Sequence, residues 1–262
     1  MLRNLVVLCA AVAAVHGQSF EAASIKVSVP KSERGSQGGP GSARYSFHRG
    51  KLLDFLAIGF DVEYRQVAGK ADLDKVEFDL DATLPPGTTR QQLHAMIRNL
   101  LAERFHLKQH IETREFSGYE LVVAKTGHKL LPEGTAPEHL EGFPDLTMSR
   151  ADMRSFQRRV EGGYLLVRMR GRLQTMAKLT EWIQPPDDGP VIDKTGLAGR
   201  FDVAIEYTQE LGNALPDTAA QPSVIPDLFT ALQQQLGLQL IRKKIPLPVV
   251  VVDSVDKLPT GN

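Results

Sequence analysis

Cysteine is almost absent from this chain of 262 residues, in which Cys9 is the only one. Cys9 lies in an N-terminal segment that we expect to be removed. The rest of the chain then has no disulfide, no thiolate nucleophile and no cysteine ligand for a metal. About 245 residues would remain, which is enough to bury a hydrophobic core without covalent cross-links.

The chain also lacks an excess of either charge, with 31 Lys and Arg against 31 Asp and Glu. Loss of Arg3 with the N-terminal segment would leave 30 basic and 31 acidic residues. Nucleic acid and anionic membranes attract strongly basic surfaces. Neither is therefore expected as a partner.

Long hydrophobic runs are missing except near the N-terminus, where Arg3 precedes an apolar stretch over 5–15 and small residues end at Gly17. This pattern predicts a signal peptide over 1–17 and a mature chain that starts around Gln18. The stretch is shorter than the roughly 20 residues that a spanning helix needs, so the alternative is a buried N-terminal helix. We expect a mature protein without a membrane span, located in the periplasm or outside the cell.

The part of the chain that follows is self-similar, which indicates a duplicated unit of roughly a hundred residues. The matching stretches are 50–52 with 171–173, 78–82 with 201–205, and 101–107 with 232–238. We place a first copy at 18–125, a connection at 126–163 and a second copy at 164–262.

Hydrophobic periodicity gives each copy the order α-β-β-α-β-β, with one more strand in front. The clearest helix carries a single apolar stripe formed by Leu93, Met96, Ile97, Leu100 and Leu101. Paired strands are predicted on both sides of 117–118, and again over 238–243 and 249–253. Because strands and helices do not alternate strictly, the expected fold class is α+β with mostly antiparallel sheets.

Four stretches in a fixed order carry a family resemblance: 20–26 (FEAASIK), 100–105 (LLAERF) with His110 after it, 193–202 (DKTGLAGRFD) and 231–238 (ALQQQLGL). By these motifs the chain resembles a soil-bacterial family of exported proteins known as domain of unknown function 3738. The resemblance implies export and a shared fold, and it implies no activity. Each copy also resembles the short N-terminal module of secretins and TonB-dependent receptors, which is a docking module.

Two motifs of serine acyl-enzymes occur in the chain without their usual context. Ser28 and Lys31 have the S-x-x-K spacing, and 194–196 reads Lys-Thr-Gly. The chemistry needs Ser and Lys one helical turn apart, whereas Pro30 opposes a helix between them. We interpret 195–199 as a turn between strands, and no residue is assigned a catalytic role.

Motifs for metal and phosphate binding are equally incomplete. His106 and His110, with Glu103 and Glu112 nearby, would suit a metal on a helix, but the alternation predicts a strand with a solvated face. The glycine-rich stretch 35–41 lacks the G-x-x-x-x-G-K-[ST] order, so we interpret it as a flexible loop. No metal and no cofactor is expected.

Arg168, Arg170 and Arg172 alternate along one predicted strand, which places three guanidinium groups on the same face. Such a row could bind the carboxylates of an acidic glycan or of an envelope protein. The alternative is a charged strand edge that prevents aggregation of sheets. The row is the only candidate binding site that the sequence offers.

These observations favour a non-catalytic binding module of the envelope or the extracellular space. The alternative is a hydrolase with a site at the interface between the two copies, where clefts tend to form. A hydrolase needs titratable residues that converge in a cleft, while a docking module needs an exposed edge or patch.

Overall fold

The structure is a computed structural model that describes residues 19–29, 33–69, 72–146, 152–160, 163–210 and 225–261. The chain forms two compact units. Unit 2 consists of residues 115–246, and unit 1 contains the described residues before 115 and after 246. The last part of the chain thus belongs to the same unit as the first.

Unit 1 contains an antiparallel sheet of four strands in the order β1-β5-β3-β2. The elements before the unit boundary are β1 (Ala22–Val27), β2 (Gly35–Gly38), β3 (Arg44–Lys51), α1 (Leu52–Phe60), a 3-10 turn (Tyr64–Gln66), β4 (Val67–Gly69), β5 (Glu77–Thr83) and α2 (Arg90–Phe105). Phe55, Phe78 and Phe105 are fully buried in the core of this unit, and the rings of the last two meet edge to face.

Unit 2 contains a second antiparallel sheet, in the order β7-β11-β9-β8. Its elements are β7 (Leu131–Pro132), β8 (Asp152–Val160), β9 (Tyr164–Gln174), α3 (Met176–Thr180), β10 (Val191–Asp193), β11 (Phe201–Glu210) and α4 (Leu228–Ala231), which continues as a π-helical turn (Leu232–Leu236). Two long strands, β6 (Lys108–Val123) and β12 (Leu238–Ser254), each contain a unit boundary.

Local sequence explains where the main helices begin and end. Thr89 caps α2 by accepting the N–H of Gln92, whose side chain bonds back to the Thr89 N–H. Asp227 caps α4 in the same way through the N–H of Thr230. His106 and Gly237 end the two helical segments in the left-handed conformation.

The two units repeat the same order of elements: β3-α1-β4-β5-α2-β6 is followed by β9-α3-β10-β11-α4-β12. The antiparallel pairs also share a β-bulge, which lies between Phe47 and Gly50 in unit 1 and opposite 201–203 in unit 2. Phe78 pairs with Gly50, and Phe201 pairs with Gln174. Gly50 therefore corresponds to Gln174, and the predicted match with Gly171 is wrong by three residues.

The short parallel pairs follow the same register. In unit 1, β4 pairs with β12 through Val67 and Val250. In unit 2, β10 pairs with β6 through Val191 and Tyr119. The correspondence thus extends to every strand of the repeated order. Common descent of the halves stays a proposal, as do the predicted copy boundaries at 18–125 and 164–262.

The predicted fold class, α+β with mostly antiparallel sheets, is confirmed. Three predicted details are wrong: β6 runs unbroken through 117–118, β12 runs unbroken through 238–254, and Gly35–Gly38 form a strand rather than a loop. Gly118 supports a close approach instead of a turn, since an added Cβ would lie 2.5 Å from the carbonyl oxygen of Pro190. None of the described helices has the length and apolar character needed to cross a membrane.

Candidate functional site

The arginine row predicted on β9 exists, but its guanidinium groups are engaged by the chain itself. Arg168 forms an ion pair with Glu206 and donates to the carbonyl oxygen of Gly142 at 2.9 Å. Arg170 is only 1% exposed and donates to the carbonyl oxygens of Pro137 and Glu138. The predicted role of this row, together with Arg172, in binding an anionic partner stays a prediction.

These bonds fasten a non-regular segment, which we call the cover segment (residues 134–146), over one face of the sheet in unit 2. The Nη2 atom of Arg172 lies 3.5 Å from the carbonyl oxygen of Gly134. The backbone N–H of Ala136 donates to the buried Asp202 at 2.9 Å. Leu146, which lies at the end of the segment, is itself buried.

Burial by the cover segment has an electrostatic consequence for Arg170. Loss of solvent lowers the pKa of its guanidinium, against the opposing effect of Asp145 and Asp202. Arginine nevertheless stays protonated in proteins, and the carbonyls of the segment accept from its Nη1 and Nη2, while its buried Nε has no acceptor among the described residues. Since β9 is paired on both sides, by β11 and β8, the alternative interpretation as a charged sheet edge is wrong.

The corresponding face of unit 1 is open and forms a groove of about 720 Å³ on the four-stranded sheet. We call it the open groove. Its lining residues come from all four strands and the turn between β2 and β3: Ala22, Ala23, Ser24, Gln37, Gly38, Ser42, Ala43, Arg44, Tyr45, Ser46, Asp81, Ala82 and Thr83. Most of these side chains are small, so the groove follows from the sequence of the sheet face itself.

Register shows that the open groove and the arginine row occupy equivalent places. Phe47 and Gly171 pair with Leu80 and Val203 one step before the bulge. Counting along each strand from Phe47 and Gly171, Arg44 corresponds to Arg168, Ser46 to Arg170, and His48 to Arg172. Unit 2 closes this face with the cover segment, whereas the described residues of unit 1 leave it uncovered.

A line of polar residues crosses the open groove from strand to strand. Ser24 pairs with Asp81, which pairs with Ser46, which pairs with Gln37. Paired residues of neighbouring strands share a face, so these four side chains project from the sheet together. They supply both hydrogen-bond donors and acceptors to whatever lies on the sheet.

Two ionisable groups beside this line, Asp79 and Tyr45, have shifted pKa values. Burial opposes ionisation of Asp79, but the N–H of Arg49 and the hydroxyl of Ser28 outweigh it, and the pKa of Asp79 is lowered. Burial, with the charge of Asp54, raises the pKa of Tyr45 to about 12. His48 lies 3.7 Å from Asp79 and 3.8 Å from Asp81, beyond hydrogen-bond distance.

The acyl-enzyme motifs lie in different units, with Ser28 in unit 1 and 194–196 in unit 2. Thr195 donates twice to Asp193, through its N–H and its hydroxyl, and accepts the N–H of Leu197. With Gly196 at φ 69°, this geometry confirms the predicted turn. Ser28 follows the end of β1, and its predicted partner Lys31 lies outside the described residues.

The predicted histidine cluster forms ion pairs on the surface of unit 1. His106 lies 2.8 Å from Asp256, while His110 lies 3.0 Å from Asp253 and 3.1 Å from Glu112. These hydrogen bonds raise the pKa of His110. Within the described ranges, no set of three or more His, Cys, Asp or Glu is placed to hold a metal ion.

Sequence reasoning missed the open groove, although part of its signal was present. Arg44, Ser46 and His48 alternate along β3 as the three arginines do along β9. The groove also needs the pairing of β1 with β5 and of β2 with β3, which no local pattern reveals. Residues 35–41 were predicted to form a loop, so β2, which lines one side of the groove, was not expected.

Comparison with known proteins places the chain in a family. No curated protein and no solved structure matches it. A family described as a protein of unknown function, DUF3738, matches residues 53–255, which include most of both units. The match extends from α1 to the end of β12 and thus covers the repeated order of elements except its first strand, β3. The chain belongs to the DUF3738 family of proteins of unknown function.

Proposed function

We propose that the protein is an exported, non-catalytic binding module whose ligand surface is the open groove of unit 1. One observation carries the proposal: the same sheet face is covered by the chain's own segment in unit 2 and is uncovered in the described part of unit 1. A polar sheet face of this size can hold a ligand along its length. An envelope protein or a glycan is the expected partner.

The chemistry of the groove supports binding more than catalysis. Its donors and acceptors are spread along the sheet by Ser24, Gln37 and Ser46, and do not converge on one point. His48 has no hydrogen bond to a carboxylate that would orient it as a general base. The hydrolase alternative, with a site between the copies, stays a prediction.

The location outside the cytoplasm rests on the N-terminal pattern of Arg3, the apolar stretch over 5–15 and Gly17. N-terminal sequencing of the protein recovered from periplasm or medium tests it. The expected sequence begins around Gln18. An intact Met1 on the form found outside the cytoplasm would contradict export by cleavage.

The groove is tested by site-specific photo-crosslinking in envelope extracts. A photoreactive amino acid at the exposed Gln37 should trap the partner, while the same group at Arg158, an exposed position on β8, should not. Ser46→Trp and Ala22→Trp, which fill the groove from two strands, should each prevent trapping at Gln37. Circular dichroism confirms that both variants are folded. Equal trapping at Arg158 would show that the ligand surface lies elsewhere.

We also infer that the two units arose by duplication of one α+β element order. Both units contain the same bulge with a left-handed residue in it, Arg49 in unit 1 and Leu173 in unit 2. In each unit a buried carboxylate, Asp79 or Asp202, accepts the backbone N–H of that residue. A solved structure in which the strands of the two units cannot be superposed in this register would contradict the inference.

A further inference from the structure

We propose that the open groove binds an extended segment of a partner polypeptide that carries an acidic side chain, with its carboxylate on Arg44. This inference rests on the proposed function and names the ligand class of the same site. We infer the acidic side chain because Arg44 has no counterpart of the partners of Arg168. We infer the extended backbone because the cover segment lies on the corresponding face of unit 2.

The cover segment shows how a polypeptide lies on this kind of sheet face. It is bound mainly through its backbone, because Arg168 and Arg170 donate to the carbonyl oxygens of Gly142, Pro137 and Glu138. A close approach is needed at Gly142, where an added Cβ would lie 2.6 Å from a guanidinium nitrogen of Arg168. Arginine donors on such a sheet face thus bind the main-chain carbonyls of a non-regular segment that lies against the strands.

Arg44 has the place of Arg168 but lacks both of its partners. The residue opposite Arg168 on the neighbouring strand is Glu206, and the residue opposite Arg44 is Thr83. The ion pair of Arg168 thus has no counterpart, and the described residues offer the Arg44 guanidinium no hydrogen bond or ion pair. A ligand carboxylate would supply the missing partner in the bidentate geometry that arginine favours.

The other charges of the groove do not compete for that carboxylate. Asp81 is the exposed acidic residue among the lining residues. It pairs with Ser46, whereas Arg44 pairs with Thr83, so Asp81 lies in the row of side chains next to that of Arg44. His48 lies 3.8 Å from Asp81. Neighbouring rows of the groove thus carry opposite charges, on Arg44 and on Asp81, and this gives a bound segment a preferred direction.

The floor of the groove fits a polypeptide backbone. Ala22 and Ala43 bring only methyl groups to the lining, and Gly38 brings no side chain, while the Ala82 side chain packs in the core on the other face of the sheet. A main chain can approach such a surface closely, while Ser24, Ser46 and Gln37 offer hydrogen bonds to its carbonyl and amide groups.

The test uses random linear peptides displayed on phage and selected for binding to the predicted mature protein, residues 18–262. The enriched peptides are then synthesised individually. Enriched peptides should contain Asp or Glu. Arg44→Glu should weaken their binding by at least about tenfold, as expected for loss of a charge-assisted contact. Arg44→Lys should recover part of the affinity. Ser46→Trp should abolish binding, and Arg158→Glu, the matched control on β8, should leave it unchanged.

Each result separates the ligand class from the site. If Ser46→Trp and Ala22→Trp abolish binding while Arg44→Glu does not, the groove is the site and the acidic segment is wrong. If none of the groove variants weakens any selected peptide, both the site and the ligand class fail. A third result is that no peptide is enriched, while the acidic polysaccharide polygalacturonate binds the protein and Ser46→Trp abolishes this binding. This result would assign the groove to a glycan and overturn the inference.

Discussion

The carboxylate of Asp79 accepts the backbone N–H of Arg49 at 2.9 Å, where the chain passes through a left-handed residue with φ 54°. Unit 2 contains the same arrangement, in which Asp202 accepts the N–H of Leu173 at 2.9 Å and φ is 56°. In both units the Asp follows a Phe at the start of a strand. A buried carboxylate thus stabilises an unusual backbone conformation at the bulge that leads into a helix.

Replacement of Asp202 should destabilise unit 2. The side chain is fully buried and accepts the N–H groups of both Leu173 and Ala136. Asp202→Ala should cost about 1–3 kcal/mol for each donor left unsatisfied. Chemical denaturation measures the loss. Asp81→Ala is the control, since Asp81 is 58% exposed and should change the free energy of unfolding little. Equal effects of the two changes would contradict the role of Asp202.

A Cβ at residue 118 should be poorly tolerated. It would lie 2.5 Å from the carbonyl oxygen of Pro190, a backbone atom that also accepts the N–H of Tyr119. Gly118→Ala should therefore lower the free energy of unfolding by about 1–3 kcal/mol. Gly35→Ala is the matched control, because an added Cβ at this strand residue meets nothing within 4 Å. Thermal unfolding of both variants gives the comparison, and a Gly118→Ala variant as stable as the control would refute the close approach.

The cores of both units should respond to truncation of a buried leucine. Leu100 in α2 and Leu232 in the π-helical turn are both buried in their own clusters. Either Leu→Ala change should cost about 2–5 kcal/mol in the free energy of unfolding. Leu258→Ala should cost much less, since Leu258 is 58% exposed. Urea denaturation tests all three, and a small loss at Leu232 would show that the turn does not contribute to the core.

His110 should make the stability of the protein depend on pH above about 6.5. Hydrogen bonds to Asp253 and Glu112 raise the pKa of His110 in the folded state above the 6.5 of an unperturbed histidine. A raised pKa contributes stability that is complete below pH 6.5 and is lost as the pH rises through the folded-state pKa. The contribution should be small and should decrease with added salt, because the groups are exposed.

Melting temperatures measured between about pH 6 and pH 8, the range in which histidine titrates, test this dependence. His110→Gln should remove the whole of this decrease, and Asp253→Asn, which leaves the contact with Glu112, should remove the larger part of it. An unchanged pH profile in both variants would show that this ion pair contributes nothing to stability.

Sequence reasoning reached those parts of the fold that local patterns control. The stripe from Leu93 to Leu101 predicted α2, and the alternation around Phe78 predicted β5. It failed where a residue serves a distant neighbour. Gly118 was interpreted as part of a turn because its contact with Pro190 is invisible in the sequence, and the predicted strands over 238–243 and 249–253 are one strand.

The candidate site was predictable only in part. Alternation correctly placed Arg168, Arg170 and Arg172 on one strand face, but no periodic pattern marks the cover segment that lies against them. The open groove depends on the absence of such a segment over Arg44, and an absence of this kind leaves no trace in the local sequence.

The cover segment has a consequence for how the sequence of this protein can change. Arg168 and Arg170 hold it by carbonyl oxygens, which every amino acid carries, so the side chains at Pro137 and Glu138 are largely irrelevant to the attachment. Gly142 differs, since its φ of 78° favours glycine and an added Cβ would lie 2.6 Å from the Arg168 guanidinium. Substitutions should therefore be tolerated at the exposed Pro137 and Glu138, and tolerated less at Gly142 and at the buried Ala136 and Leu146.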